Sequence, residues 1–347
     1  MKRFRIVVVG CGNMAHAWVG YALTREDSEI VALVDISKEN AERMAERHGL
    51  TCGIYPDVAM AIAETGANVA FDITVPDSRF DVSRTALQAG CHVFAEKPMA
   101  VSREEAHELV RTADRAGRRL SIMQNRRYNG HIRSLQGLFD DGAIGPVGYI
   151  GADFFLAPHF GGFREAMEHP LIVDMAIHTF DQARFIGGAD PVSVYCQPFN
   201  PPGSWYAGAA AAVCIFEMSD GSIFCYRGSW CAEGAPTSWE ASWRITGAHG
   251  TAIWDGTGEP YAEIVAPGIG TDQSGFLREH VRIEANNLWR GRERHTGCLD
   301  EMFAALQEGR PAETDARDNL KSIAMVLGAV ESAEKGLKID LRPYWNL

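Results

Sequence analysis

Arg5-Ile-Val-Val-Val-Gly10-Cys-Gly12-Asn-Met-Ala15 is the stretch on which the fold turns. A β-branched run breaks at Gly10 and passes straight into a small-residue turn that fits G-x-G-x-x-[GA]. Gly10 permits the tight turn, Gly12 lets backbone approach a pyrophosphate, and Ala15 is small enough for close helix–strand packing. The helix that follows offers free N–H groups and the positive end of its dipole to an anion. A plain glycine-bearing βα turn would use the same residues; the strand before and the helix after favour a dinucleotide site.

Working outward, strand-like runs recur at Ile30–Val34, Val69–Val75, His92–Ala95 and Leu120–Met123. Between them lie helices with readable ends. Ser37 opens Lys38–His48 before Gly49, and Asp57 opens Val58–Glu64 before Gly66. Ser78–Gln88 ends at Gly90. Ser102 with Glu105 forms a capping box before Glu104–Ala116 and Gly117. Repeated βα units with continuous apolar strands predict a parallel sheet covered on both faces. Asp35 ends the second strand, 20 residues after Ala15. A carboxylate there accepts ribose hydroxyls and repels a 2′-phosphate, which favours NAD and makes NADP the less favoured cofactor. Asp35 could equally serve as a turn or cap residue, and Ser37 and Lys38 lie where a phosphate could reach.

The rhythm changes after Asn125. The pattern predicts a helix over His131–Phe139, a strand over Val147–Leu156 and a helix over Pro170–Ile186 closed by Gly187-Gly188. Strands dominate from Val192 to Trp254. Ala209–Met218 with Ser222–Trp230, and Trp243–Thr246 with Thr251–Trp254, read as hairpins, hence an antiparallel sheet. Helices follow near Thr296–Leu306 and Ala316–Glu334. The fold class is therefore α/β: a Rossmann dinucleotide-binding domain over 1–125, then an α+β domain with an open, mostly antiparallel sheet over 126–347.

Composition excludes several classes. A chain of 347 residues holds about two domains. With Lys+Arg 33 and Asp+Glu 45, a net charge of −12 argues against nucleic acid and against an anionic membrane surface. The apolar run before Gly10 is too short for a secretory leader, and no uncharged stretch reaches the length of a membrane span. The eight cysteines show no C-x-x-C pair, so no zinc knuckle is signalled, and free thiols point to the cytoplasm. No metal is expected.

Ala95-Glu-Lys-Pro-Met-Ala100 follows the His92–Ala95 strand, and Asp174-Met-Ala-Ile-His178 lies in the second domain. With the glycine turn, these resemble, in order and spacing, the motifs of the Gfo/Idh/MocA (glucose–fructose oxidoreductase / inositol dehydrogenase) family. The resemblance implies an NAD-dependent dehydrogenase acting on a secondary hydroxyl of a sugar, cyclitol or polyol, assembled as a homo-dimer or homo-tetramer through the second-domain sheet. It implies cofactor contacts at Gly10, Gly12, Asn13, Met14, Asp35, Ile36, Pro76, Glu96 and Lys97, with Glu96 on the nicotinamide ribose, and raises a cis Lys97–Pro98 bond. Gln124-Asn-Arg-Arg-Tyr128 is similar to the family's crossing segment, which makes Arg126 a substrate candidate. The chain departs from the family at Val75-Pro-Asp77-Ser-Arg79-Phe80, with Asp77 for the usual Asn and no His, and at Ala176 where Gly is frequent.

The chemistry of these residue types stands beside the resemblance. Lys97 follows a strand's carboxyl end, where an open parallel sheet forms its ligand crevice, and an ammonium there stabilises developing alkoxide charge. Asp174 and His178 are i and i+4 on one helix face, with Asp181 one turn on; a carboxylate fixes an imidazole's tautomer and raises its basicity. Lys97, Asp174 and His178 are the expected catalytic residues, with Arg126, His159 and Arg164 joining them toward substrate. Surface or core roles remain open for each: Lys97 as a solvated loop lysine, Asp174–His178 as a structural pair or metal ligands. Five of the eight tryptophans (Trp205, Trp230, Trp239, Trp243, Trp254) fall in the sheet region and are expected in a core or oligomer interface. Two other activities suit the same fold: an NAD-using glycosidase or lyase with transient oxidation, and a non-catalytic nucleotide-sensing protein.

Overall fold

The β-branched runs of the first two strands end where Gly10 and Asp35 turn the chain. The computed structural model describes residues 3–266 and 278–347. The first unit alternates β1 (Phe4–Val9), α1 (Ala15–Leu23), β2 (Ser28–Val34), α2 (Lys38–His48), β3 (Gly53–Tyr55), α3 (Val58–Thr65), β4 (Val69–Asp72), α4 (Pro76–Gln88), β5 (His92–Ala95), α5 (Arg103–Ala116) and β6 (Leu120–Ile122). The expected caps are in place. Ser37, Asp57 and Ser102 side chains accept from Asn40, Met60 and Glu105 backbone N–H, and Gly49, Gly66 and Gly117 close their helices in the left-handed conformation. The six strands are parallel in the order β3-β2-β1-β4-β5-β6. The order reverses between β1 and β4, and ligands bind outside the strands' carboxyl ends at such a switch point.

The second unit contains α6 (Gly130–Asp140), β7 (Val147–Phe155), α7 (Phe163–Ala166), a π-helical turn at Leu171–Ala176, α8 (Ile177–Gly187), β8 (Pro191–Phe199), β9 (Ala211–Met218), β10 (Ile223–Ser229), β11 (Ser242–Gly247), β12 (Gly250–Trp254), β13 (Tyr261–Val265) and β14 (His280–Glu284). Both expected hairpins form, β9–β10 and β11–β12. Four more elements close the chain: α9 (Arg294–Glu308), α10 (Ala316–Lys335) and, after it, β15 (Ile339–Asp340) with α11 (Arg342–Trp345). The second sheet runs β14-β13-β12-β11-β7-β10-β9-β8-β15 and is antiparallel except between β7 and β10. The sequence predicts one long helix over Pro170–Ile186; within it, Leu171–Ala176 winds as a π-helix instead. Among the described residues, no helix is long and apolar enough to cross a membrane.

The chain divides into residues 1–125 with 292–323 and Leu347, and residues 126–291 with 324–346. The sequence pattern assigns everything after 125 to the second domain; in the structure 292–323 returns to the first. The reason is a phenylalanine cluster. Phe303 of α9 stands edge-on to Phe4 and Phe94, each at 5.0 Å, and to Phe71 at 6.1 Å, with Arg25 over its ring at 4.2 Å. Amphipathic periodicity shows that a helix buries a face, not which sheet receives it.

In the second unit Phe180 of α8 packs edge-on against Phe216 at 4.9 Å and Tyr226 at 5.2 Å. Trp230, Trp243 and Trp254 are buried, as a core role requires, whereas Trp239 is 44% exposed. The sheet's outer face presents Tyr149, Tyr195 and Ile215, each more than a third exposed. Phe303→Ala is expected to destabilise the protein by about 3–5 kcal/mol, the usual cost of emptying a large core site. Denaturant unfolding measures it, and an unchanged midpoint would remove α9 from the first unit's core.

Candidate active site

The glycine turn is built by a steric constraint. Gly10 has φ +88°, and a Cβ there would lie 2.7 Å from the Ile73 carbonyl oxygen. Only glycine lets the end of β1 pass that close to the end of β4. Gly12 differs: a Cβ there would meet nothing within 4 Å, so its bareness keeps open the space over the turn. Asp35 ties the turn to β2, its two oxygens accepting from Cys11 N at 2.7 Å and Ser37 N at 2.8 Å. Burial and the nearby Asp35 push the Cys11 thiol up to about 12, so it stays neutral beside the turn. A cavity of 610 Å³ opens here, lined among others by Gly10, Gly12, Asp35, Ile36, Pro56 and Val75. Ile36 projects fully into solvent at its rim.

Other expected cofactor contacts fall differently. Asn13 lines a second cavity of 520 Å³ with Cys11, His16, Arg43 and Arg47. Met14 stands exposed at the head of α1, whose first turn carries no side-chain cap. Pro76 opens α4, while its neighbours Val75 and Ser78 line the larger cavity. Pro56, Val58 and Ser78 were missed in the sequence; they follow strand carboxyl ends, the one signal that could have found them.

At the end of β5, Glu96 is buried and accepts from Trp18 Nε1 at 3.0 Å and Lys97 N at 3.2 Å. The peptide bond Lys97–Pro98 is cis, and Lys97 is half-buried rather than a solvated loop residue. A residue that the motifs did not flag joins them. His295, in the first turn of α9, brings Nε2 to 3.7 Å from Glu96 and Nδ1 to 3.2 Å from Asn125 Nδ2. It follows Arg294, a non-glycine residue at φ +56°.

In the second unit Asp174 lies in the π-helical turn and His178 at the start of α8. Asp174 Oδ2 accepts from Arg164 Nε at 2.6 Å. The Arg164 guanidinium also lies over the rings of Phe160 at 5.1 Å and Phe163 at 4.8 Å. Arg126 donates to the Trp239 carbonyl and reaches Glu240 at 3.8 Å and Met175 Sδ at 3.9 Å. Arg126 and Arg164 therefore brace neighbouring residues of one turn. His159 stacks on Trp205 at 3.7 Å and approaches Glu233 at 3.3 Å. Asp181 has a structural role: Arg127 grips it at 2.7 and 2.6 Å, both buried. Among the described residues no group of three or more His, Cys, Asp or Glu side chains is arranged to hold a metal ion.

Residues 4–124 match the model of an oxidoreductase family with an NAD-binding Rossmann fold, and residues 132–253 match the GFO/IDH/MocA C-terminal domain. The chain belongs to the Gfo/Idh/MocA oxidoreductase family. It is similar to a D-apiose dehydrogenase of Paraburkholderia graminis, 26% identical over 99% of this chain and 91% of that protein. A D-glucoside 3-dehydrogenase of Escherichia coli is 28% identical over 58% of this chain and 59% of its own. A crystal structure of an oxidoreductase from Agrobacterium radiobacter, in complex with NAD+, L-tartaric acid and magnesium, shares the fold. Its TM-score is 0.85 at 21% identity, with 99% of each chain covered.

The Gfo/Idh/MocA assignment makes the first unit an NAD-binding domain, and its residues fit that cofactor. Gly12 leaves open space over the turn, the room a pyrophosphate needs, and Asp35 lines the same cavity, where the sequence predicts a ribose contact. Asp35→Ser is expected to narrow the preference for NAD over NADP by roughly tenfold or more, one lost charge-assisted contact being ~1.5–3 kcal/mol. The change should fall mainly on the cofactor KM. Equal kinetics with both cofactors in the unmutated protein would refute this role for Asp35.

Proposed function

We propose that the protein oxidises a secondary hydroxyl of a sugar, cyclitol or related polyol, with NAD as hydride acceptor. One observation carries the reading: a single chain joins an NAD cradle, with Lys97 beside the buried Glu96, to a second unit in which Asp174 and His178 share a helical turn braced by two arginines. The sugar dehydrogenases named among its relatives support the substrate class. NAD, when bound, supplies the hydride acceptor. Lys97 holds the substrate oxygen by its ammonium and stabilises the negative charge that develops there. His178 removes the hydroxyl proton as the carbon–hydrogen bond gives up its hydride and the carbonyl forms. Asp174 orients His178, and Arg164 holds Asp174. Arg126 contributes its charge toward the substrate's other hydroxyls.

The test is a panel of polyols, sugars and glycosides screened for net NADH formation. Substrate turnover without NADH accumulation would favour transient oxidation in a lyase or glycosidase instead. On the true substrate, Lys97→Ala and His178→Ala should each lower kcat by ~10²–10⁴-fold with little change in NAD affinity. The double variant should lose less than the product of the two, because both groups act on one oxygen. Full activity in Lys97→Ala would end the mechanism.

Assembly belongs to the same proposal. Tyr149, Tyr195 and Ile215 are exposed on the sheet's outer face, in register with Ile253 and Tyr261 and interspersed with Asp153, Arg227 and Arg244. We place a homo-dimer or homo-tetramer contact there. Light scattering at micromolar concentration should give a multiple of the chain mass, and Ile215→Asp should reduce it; a monomeric wild type would contradict the assignment.

A further inference from the structure

The stretch Val75-Pro-Asp77-Ser-Arg79-Phe80, where the chain leaves the family pattern, contains an arginine that the motifs do not employ. Arg79 lies in the first turns of α4 and is 2% exposed. Arginine is almost never so buried unless its charge and its N–H groups are answered; here both Nη atoms have partners, while Nε has none among the described residues. Nη1 donates to the Pro98 carbonyl at 2.6 Å, and Nη2 donates to the Thr74 carbonyl. Thr74 follows β4 and Pro98 follows β5, and these are paired parallel strands, Asp72 opposite Ala95. One planar fork thus bridges the two loops that leave adjacent strand ends, with one donor to each.

The charges around the fork are arranged as a set. Asp72 and Glu96 both pull on the guanidinium electrostatically, while burial lowers its pKa. Asp72 is itself buried, accepting from Ser83 Oγ at 2.7 Å and Thr74 Oγ1 at 2.5 Å. Burial raises the Asp72 pKa and Arg79 opposes that rise. Glu96 meets Trp18 Nε1 and the Lys97 N–H on its other sides. Two of these contacts reach the turn at residues 96–98, the Arg79 bond to the Pro98 carbonyl and the pull of Glu96, while the others anchor Arg79 and Asp72 to Thr74 and Ser83.

We infer that Arg79 is a positioning residue for the oxidation, fixing the Lys97–Pro98 turn to the β4–α4 loop so that the Lys97 ammonium is held at the substrate oxygen. Lysine in its place would keep the charge but not the fork, since an ammonium is a point charge on a flexible stem. The inference rests on the role given to Lys97 above.

Arg79→Lys tests it with four readouts: kcat, NAD affinity, melting temperature and local hydrogen exchange. Misplacement of a reacting group by about 1 Å costs up to ~10²-fold in rate. The expected result is a kcat lower by about that factor, NAD affinity nearly unchanged, and faster exchange confined to residues 74–80 and 96–100. Wild-type kcat in folded Arg79→Lys overturns the inference. So does an activity loss that only tracks the loss of folded protein, with faster exchange throughout the first unit. Should Arg79→Lys not fold, Ser83→Ala carries the test by loosening Asp72 alone; it should show the same signature at smaller amplitude, and an unchanged kcat overturns the inference. The two readings fail separately. A fully active Lys97→Ala removes the role of Lys97, whereas an inactive Lys97→Ala beside a fully active Arg79→Lys removes only that of Arg79.

Discussion

The close passage of Gly10 beneath the Ile73 carbonyl is the constraint on which the first unit depends. At φ +88° and with 2.7 Å between a notional Cβ and that oxygen, no other residue fits without moving β4. Because β4 moves with it, so would the loop after it, which carries Thr74 and Val75. The same contact brings the end of β1 to the sheet's switch point, beside the cavity that Gly10 and Gly12 line. Asp35 then locks the turn from the other side through Cys11 N. The consequence runs from one missing methyl group to a strand crossing, to an anion site, to an NAD-binding domain.

Most of this was legible because it is local. Ser37, Asp57 and Ser102 with Gly49, Gly66 and Gly117 punctuate the helices by side-chain and backbone chemistry that acts within a few residues. The glycine turn, the strand-end Asp35 and the Glu-Lys-Pro segment each depend on neighbours in sequence. What was not legible depends on distant partners. Nothing near Phe303 says that it belongs among Phe4, Phe71 and Phe94. His295 reaches Glu96 only because α9 returns to the first sheet. The i, i+4 reading of Asp174 and His178 assumed α-helical winding throughout, whereas residues 171–176 wind more widely as a π-helix, a device that recurs at functional sites. Arg79 read as a departure from a pattern, because its two acceptors lie on loops that only the fold brings together.

Both units solve one electrostatic problem in the same way. A buried carboxylate must be answered by an opposite charge and held in one orientation. In the second unit Arg127 takes Asp181 in a buried two-point grip at 2.7 and 2.6 Å. In the first, Asp72 and Glu96 both attract the Arg79 guanidinium, whose N–H groups donate to backbone instead. Breaking such a buried pair by removing one partner costs about 3–5 kcal/mol, because an unanswered charge is left behind. The pairs are therefore weak sources of net stability but strong sources of position: each admits one arrangement and penalises the others. That asymmetry suits turns whose geometry matters more than their strength.

Asp174 illustrates how loop and helix divide the work in the second unit. His178 stands on α8, a helix packed through Phe180 into the sheet, so its backbone has little freedom. Asp174 precedes it on the wider π turn, and its Arg164 partner comes from α7, which follows Gly161 and Gly162, both in the left-handed region. The guanidinium spends its faces on Phe160 and Phe163 and its Nε–H on the carboxylate. A group that stacks and donates at once resists rotation more than one that does either, which is a use that arginine serves and lysine does not. The loop that carries those aromatic rings is thus mechanically joined to the carboxylate assigned to orient the base. Whatever packs against Phe160 or Phe163 therefore reaches Asp174 through one side chain, Arg164, without the helix having to move.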